Sequence, residues 1–370
     1  MSSAQIARKN YQAIYHAGNA RLIAVASRER AQAEDFIESC QKQSPFEVPP
    51  RAVEGYQALI DDPEIDAVYI PLPTGLRKEW VLKAARAGKH VLCEKPCGVA
   101  ARDLEEMIQA CEEHGVQFMD GVMFMHSQRL PRMKEVLGDG ESVGSIKRIT
   151  SMFSFAAPEA FLSGNIRMHS GLEPAGCLGD LGWYTIRISL WAMDDAMPTH
   201  VTGRMLQGAS RSDSDDQVPI EFSGELFFEG GVTAGFYNSF LTENQQYVSF
   251  SGSKGQLTLQ DFVLPYYDAE VGFEISNAFF DVQGCQFNME RHTKRQMVSE
   301  YANNHPSAQE TQLFRTFSQL ALSGNPDSYW PQLALKTQRV MDACLASARG
   351  DGQKVALWAS DSFAEAMPAR

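Results

Sequence analysis

His90-Val91-Leu92-Cys93-Glu94-Lys95-Pro96 decides how this chain is read. His90 to Leu92 is a short apolar run of buried-strand type, and it delivers a lysine near its carboxyl end. Open α/β sheets hold their ligands in the crevice beyond the carboxyl ends of their strands. The proline that follows fixes the local backbone, because its ring locks φ and X-Pro bonds admit the cis form. One cationic, proton-exchanging side chain is thereby aimed at a fixed point. Taken alone, Glu94-Lys95-Pro96 also fits a surface Glu–Lys pair before a turn, so the surroundings must choose.

Working outward, helical and strand patterns alternate. Ala4 to Ala17 has helical period and stops at Gly18. Leu22 to Ala26 is a continuous apolar run, as in parallel strands, and Arg28 to Gln41 returns to helical period. Ala67 to Ile70 is a second buried strand, closed by Pro71-Leu72-Pro73. Leu76 to Ala87 is a helix before Gly88, and Ala101 to His114 another before Gly115, followed by a strand at Val116 to Met119. Strands separated by single helices imply βαβ units and a parallel sheet.

The pattern changes near Met125. Longer, half-alternating strands follow at Ile146–Phe155, Val201–Gln207, Ile220–Phe228, Val232–Leu241, Gln246–Phe250 and Gln256–Phe262. Glu229-Gly230-Gly231 and Ser253-Lys254-Gly255 read as hairpin turns. A helix from about Leu178 to Met193 should cover the sheet, and helices at about Ala308–Leu322 and Pro331–Ala348 close the chain. The expectation is an α/β chain of two domains. Residues 1–124 form a nucleotide-type parallel sheet. Residues 125–370 form an α+β domain with a large, mostly antiparallel, open-faced sheet, its helix at about 331–348 packing back toward the first domain.

The bulk properties fit this division. A chain of 370 residues has length for two domains and a real core. With 44% hydrophobic and 21% charged residues it has the composition of a globular protein. A net charge of −13 without a dense Lys/Arg run argues against nucleic acid or an anionic membrane as partner. No stretch approaches the roughly 20 apolar residues of a membrane span. Met1 to Lys9 has no apolar core of signal-peptide type. The seven cysteines include no Cys-x-x-Cys, and no His-Glu-x-x-His occurs, so neither a metal nor a disulfide framework is indicated. The expected setting is a reducing cytoplasm, with Cys93 and Cys97 as small buried packing residues.

The first residues are the irregular part. A doubly wound nucleotide fold needs a first strand feeding a glycine-rich turn and then a helix. Here Met1-Ser2-Ser3 stands where strand and turn belong, and no Gly-x-Gly-x-x-Gly is near. Either the chain binds no nucleotide, or the sequence begins late and its central strand lies outside it, leaving the flanking strand edges open. The regular order of the remaining units favours the second reading.

These motifs together resemble the glucose–fructose oxidoreductase, inositol dehydrogenase and MocA (Gfo/Idh/MocA) family, over essentially the whole chain. Within it the chain is most similar to the branch with dihydrodiol dehydrogenase and NADP-linked xylose dehydrogenase. Ser3-Ala4-Gln5-Ile6-Ala7-Arg8-Lys9 resembles the end of the family's glycine-rich turn and first helix. Glu94-Lys95-Pro96 is similar to its signature tripeptide, and Cys177-Leu178-Gly179-Asp180-Leu181-Gly182-Trp183-Tyr184 to its Asp-x-Gly-x-(Tyr/His) segment. The chain departs from the family in the first strand and in the glycine due near Ser2.

The resemblance implies an NAD(P)-dependent oxidoreductase that moves a hydride to or from the CH–OH or carbonyl carbon of a sugar, polyol or cyclic diol. Such a reaction also moves a proton on oxygen, so it needs an acid/base within reach of that atom. Lys95 and Tyr184 are the natural pair. Burial and a nicotinamide cation would lower the lysine pKa, and a nearby ammonium that of the tyrosine. On a helix Asp180 and Tyr184 share a face. The roles expected are Tyr184 as proton donor or acceptor, Lys95 as the cation that polarises oxygen, and Asp180 as orienter. Without the resemblance, Tyr184 reads first as a core aromatic and Asp180 as a first-turn acid favoured by the helix dipole.

Cofactor binding is expected from Ala4, Gln5, Ile6, Ser27, Arg28, Pro71, Leu72, Pro73, Thr74, Glu94, Lys95 and Pro96. An acid after the second strand suits a ribose diol, whereas Ser27 and Arg28 suit a 2′-phosphate, so NADP(H) is preferred over NAD(H). Arg77 stands where relatives carry a histidine, and its role is open. Phe124, His126, Arg129, Arg167 and His169 are substrate candidates near the domain junction, with exposed loop polars as the competing reading. A homodimer through the exposed sheet face is implied by the resemblance. Phe228, Phe236, Phe240 and Phe250 would lie on that face, or else in the core. The alternative to an enzyme is a catalytically silent relative that binds a ligand or a partner.

Overall fold

The structure is a computed structural model, and it describes residues 1–267, 270–302 and 305–357. Its first half alternates as the periodicities require. In order come α1 (Gln5–Ala17), β1 (Ala24–Ser27), α2 (Arg30–Gln41), β2 (Arg51–Glu54), the single turn α3 (Gln57–Ile60), β3 (Ala67–Ile70), α4 (Thr74–Arg86), β4 (His90–Cys93), α5 (Ala101–Glu113) and β5 (Phe118–Asp120). Every pairing among these strands is parallel. Side chains such as Ile70, Val91, Leu92 and Phe118 are fully buried, because helices cover a parallel sheet on both sides.

That sheet is in two pieces, β2-β1 and β3-β4-β5. Among the described residues no strand pairs β1 with β3. Between them lies a cavity of about 300 Å³, lined from one side by Ala24 and Val25 and from the other by Ala67, Val68 and Tyr69. Met1 sits at its rim, its buried ammonium donating to the Tyr69 carbonyl at 2.9 Å. Burial pushes the pKa of that ammonium down to about 5.

The second half comprises α6 (Arg129–Gly138), β6 (Ile146–Ser154), α7 (Glu159–Gly164), α8 (Trp183–Ala192), β7 (His200–Ala209), β8 (Val218–Phe227), β9 (Thr233–Ser239), β10 (Gln245–Gly252), β11 (Gln256–Leu259), β12 (Gly272–Gln283), β13 (Gln286–Met297), α9 (Gln309–Leu322), α10 (Tyr329–Arg349) and β14 (Val355–Ala356). One nine-stranded sheet runs β13-β12-β11-β10-β6-β9-β8-β7-β14. It is antiparallel except for the β6–β9 pair. The expected hairpin turns connect β8 to β9 and β10 to β11. Phe228, Phe236, Phe240 and Phe250 are all buried, which decides for the core between the two places open to them. The opposite face carries polar cross-strand contacts, such as Arg148 with Glu225 and Thr233.

A buried joint links the halves. Arg187 of α8 and Asp120 at the end of β5 form an ion pair at 2.6 Å with both side chains 0% exposed. Arg187 Nε also donates to Thr337 of α10, and Trp183 Nε1 to Asp120. From α10, Asp342 accepts the Ala101 N–H at the start of α5 at 2.6 Å, and Arg339 pairs with Glu105. Among the described residues, no helix is long and apolar enough to cross a membrane.

Candidate active site

Strand β4 ends at Cys93, in register with Ile70 of β3 and Asp120 of β5, so Lys95 emerges at the carboxyl edge of the three-stranded piece. The Lys95–Pro96 bond is cis. Pro96 packs against Gly179, where an added Cβ would lie 2.9 Å from the Ala175 Cβ and 3.3 Å from the Pro96 Cγ. This approach coincides with a change in the expected helix. Leu178–Gly182 winds as a single π turn, and α-helix begins only at Trp183. Asp180 therefore sits on the wide turn and points back at β4.

Lys95 Nζ donates to Asp180 Oδ1 at 2.9 Å and to the Asp180 carbonyl at 2.8 Å. Arg167 Nε holds the other carboxylate oxygen at 2.6 Å. The Lys95 and Asp180 side chains are 10% and 14% exposed, so the pair is largely withdrawn from water yet reachable. Burial alone would raise the Asp180 pKa. Arg167 and then Lys95 outweigh it and hold the carboxyl far below its usual range. Asp180 in turn raises the Arg167 pKa against its own desolvation.

Tyr184 is placed otherwise than its sequence reading implied. Lys95 Nζ stands over the face of its ring, 4.7 Å from the centroid, while its hydroxyl donates to Met123 Sδ at 3.7 Å. Burial pushes its pKa well above 10, and Glu94 and Asp180 push the same way. The expected lowering by a nearby ammonium is therefore overturned: the lysine charge is engaged by Asp180, and desolvation dominates.

The loops around Lys95 are fixed by two buried side chains. Glu94 accepts the Tyr69 hydroxyl at 2.6 Å, and Tyr69 accepts from Asn10. Arg77 was left open by its sequence. Buried, it donates to the carbonyls of Leu72 at 2.7 Å and Glu94 at 2.9 Å, and to that of Pro96. It thus clamps Pro71-Leu72-Pro73 to the Glu94-Lys95-Pro96 loop. A lone arginine in a helical pattern gives no hint of this.

Glu173 was also missed. Its carboxylate accepts both the Thr74 N–H at 3.0 Å and the Thr74 hydroxyl at 2.6 Å, across the two domains. Both donors of Thr74 are engaged there, which takes it out of the expected cofactor set. At the other piece of the sheet, Ala4 precedes α1 with no side-chain cap, so the Gln5 and Ile6 N–H groups stay available while that of Ala7 donates to the Ala4 carbonyl. Gln5 and Ile6 are exposed on that turn. Ser27 is buried and donates to Gln32, with Ser3 Oγ 3.4 Å away, and Arg28 is exposed just past β1. An uncapped helix start beside a serine and a free-standing arginine fits a phosphate-bearing cofactor.

The substrate candidates divide. Arg167 and His169 lie on the segment that meets Asp180, with His169 Nδ1 accepting the Gly171 N–H. The other three are corrected. Phe124 is core, packed against Tyr184 and Phe262. Arg129 is buried in an ion pair with Asp261 at 2.7 Å. His126 stacks on Trp330 with its Nε2 enclosed and unpartnered among the described residues, and burial lowers its pKa to about 3. Cys93 and Cys97 are fully buried, as expected of packing residues.

Residues 3–122 match the family model described as "Oxidoreductase family, NAD-binding Rossmann fold", and residues 131–258 match the GFO/IDH/MocA C-terminal domain. D-xylose 1-dehydrogenase (NADP(+)) 2 of Haloferax volcanii is 32% identical over 237 residues, 63% of this chain and 66% of that enzyme. dTDP-3,4-didehydro-2,6-dideoxy-alpha-D-glucose 3-reductase of Actinomadura kijaniata is 28% identical over 88% of this chain and 87% of its own length. Among solved structures, the 3-ketoreductase KijD10 of the same organism, in complex with NADP and TDP-benzene, superposes with a TM-score of 0.78 at 26% identity. That match covers 94% of this chain and 95% of the other.

Proposed function

The chain belongs to the GFO/IDH/MocA family of NAD(P)-dependent oxidoreductases, and we propose that it reduces a sugar carbonyl, or the equivalent carbonyl of a polyol or cyclic diol, with NADPH. One observation carries the reading: Lys95 and Asp180, from different domains, meet as a nearly buried ion pair at the carboxyl edge of the parallel sheet. NADP(H) supplies or accepts the hydride when bound. The α1 amino end, Ser27 and Arg28 would hold its phosphates, and the Pro71–Pro73 turn and the Glu94–Pro96 loop its other half.

The chain's own residues handle the oxygen. The Lys95 ammonium hydrogen-bonds and polarises the carbonyl oxygen, which favours the negative charge that develops there. Tyr184 carries the proton. Its ring lies beneath Lys95 Nζ, 4.7 Å from the centroid, and a phenol, protonated near neutrality, can donate to a developing alkoxide. Asp180 holds Lys95 in place, and Arg167 and His169 offer hydrogen bonds to further hydroxyls. The catalytically silent alternative is not favoured, because the Lys95–Asp180 pair is intact. The open sheet face suits association with a second copy, and a homodimer is part of this proposal. The cytoplasm is its proposed compartment.

The test is Lys95→Ala. Turnover of NADPH with 3-keto sugars, and of NADP with D-xylose, should fall about 10³-fold. NADPH binding followed by nicotinamide fluorescence should change less than about threefold. Unchanged turnover would remove Lys95 from the mechanism, and absence of saturable NADPH binding by the folded protein would sink the reading.

A further inference from the structure

We propose that Glu173 is a positioning residue for this reaction: it latches the strap formed by residues 166–176 onto the amino end of α4. Latched, the strap keeps Arg167 on Asp180 and Asp180 on Lys95. The inference rests on the functional reading above for its kinetic consequence only.

The strap is tied to its own domain by Met168, which is fully buried and whose carbonyl accepts the Arg211 N–H, and by the Ser170 N–H, which donates to Ser214. Its far end crosses to the first domain. There the Glu173 carboxylate takes both donors of Thr74, and the Leu172 carbonyl accepts the Gly75 N–H at 2.9 Å. The contact is backbone to backbone: a Cβ on Gly75 would lie 2.5 Å from the Gly171 oxygen. Helix α4 has 13 residues; the strap takes the N–H groups of Thr74 and Gly75 in its first turn, and the helix dipole favours a carboxylate at that end. Next to the Met168 anchor the strap carries Arg167, bonded to Asp180 at 2.6 Å.

Lys95–Asp180, Thr74–Glu173 and Gly75–Leu172 are therefore three ties between the same two domains, made close to Lys95. If the latch is weakened, the closed arrangement is less populated. Substrate binding must then supply the closing free energy, which raises KM more than it lowers kcat.

Thr74→Val removes the hydroxyl donor at constant volume, Glu173→Gln removes the charge, and Thr74→Ser keeps both donors. Trypsin cleavage after Arg167 in the folded, NADPH-bound protein reports release of the strap and needs no substrate. Thr74→Val and Glu173→Gln should each speed that cut about tenfold, the scale of one charge-assisted hydrogen bond. KM for the sugar carbonyl should rise in step while kcat changes less than twofold. Thr74→Ser should match the unsubstituted protein, and the double variant should be no worse than either single one. Unchanged cleavage in both single variants, or additive effects in the double, would overturn the latch. Cleavage that follows the pattern without turnover of any sugar carbonyl would support the latch and defeat the reading of the reaction.

Discussion

The two sheets of this protein are built to different degrees of closure. From β13 to β14 the nine-stranded sheet is one hydrogen-bonded surface, and its buried residues belong to a core continuous with that of β3, β4 and β5. The parallel sheet is divided, and the β1–β2 piece has a small core of its own around Tyr11, Val25, Phe36 and Ile37. Two strands of four residues are marginal without the helices packed on them. Lys95 lies on the three-stranded piece, whereas Ser27, Arg28 and the start of α1 lie beside the two-stranded one. The two pieces still share packing, because Ala26 of β1 and Ala13, Ile14 and Ala17 of α1 belong to the large core. The contrast is therefore one of strand pairing, and substitutions can probe it.

The largest effect is expected where the two bodies of the core are joined. Arg187 and Asp120 are a fully buried pair, with Thr337 and Trp183 completing their hydrogen bonds. Removing one partner strands the other charge away from water. Arg187→Ala should cost about 3–5 kcal/mol in denaturant unfolding. It should also uncouple the melting of the first domain from that of the nine-stranded sheet. A single unshifted transition would break the idea that this joint holds the two sheets together.

Much of this arrangement is legible in the residues. Ala67–Ile70 and His90–Leu92 are continuous apolar runs, which only a strand buried on both faces requires. Asp180 and Tyr184 stood out by their spacing from Lys95 and by family resemblance. The polar elements escaped. Arg51–Glu54 is a strand of exposed ends and half-buried middle, and β13 is almost wholly exposed, so neither shows an apolar period. Arg77, Arg187 and Glu173 escaped for another reason: their roles depend on partners up to 150 residues away, which no local pattern encodes. For the same reason Arg129 and His126, read as site residues, proved to be interior ones. A charged residue in sequence carries its chemistry but not its burial.

A medium effect concerns α10, which fastens the second domain to α5. Burial pushes the Asp342 carboxyl up to about 7. Its folded pKa exceeds the unfolded value of about 3.9, so the folded state holds the extra proton between those limits. The stability it contributes is therefore fully present below about pH 4 and lost as pH rises through about 7. Asp342→Asn should flatten that slope and make the protein about 1–2 kcal/mol more stable at pH 8, net of one weakened bond to Gln338 or Ala101. Thermal melts from pH 5 to 8 would show it. A slope unaffected by the substitution would mean that the α10–α5 contact does not titrate.

The smallest effect is the sharpest test of the contrast between the sheets, because one substitution should change sign between them. Ala67 lines the cavity between β1 and β3, whereas Ala234 of β9 is fully buried within the continuous sheet. Ala67→Val adds two methyl groups where there is room and favours strand backbone, so it should stabilise by about 1 kcal/mol. At Ala234 the same change meets close-packed neighbours and should destabilise by about 1 kcal/mol or somewhat more. Hydrogen exchange at Ala67 to Ile70 should slow in the first variant and be unaffected in the second. If both variants lose stability, the space between β1 and β3 is closed in solution, and the parallel sheet is as tightly packed as its nine-stranded neighbour.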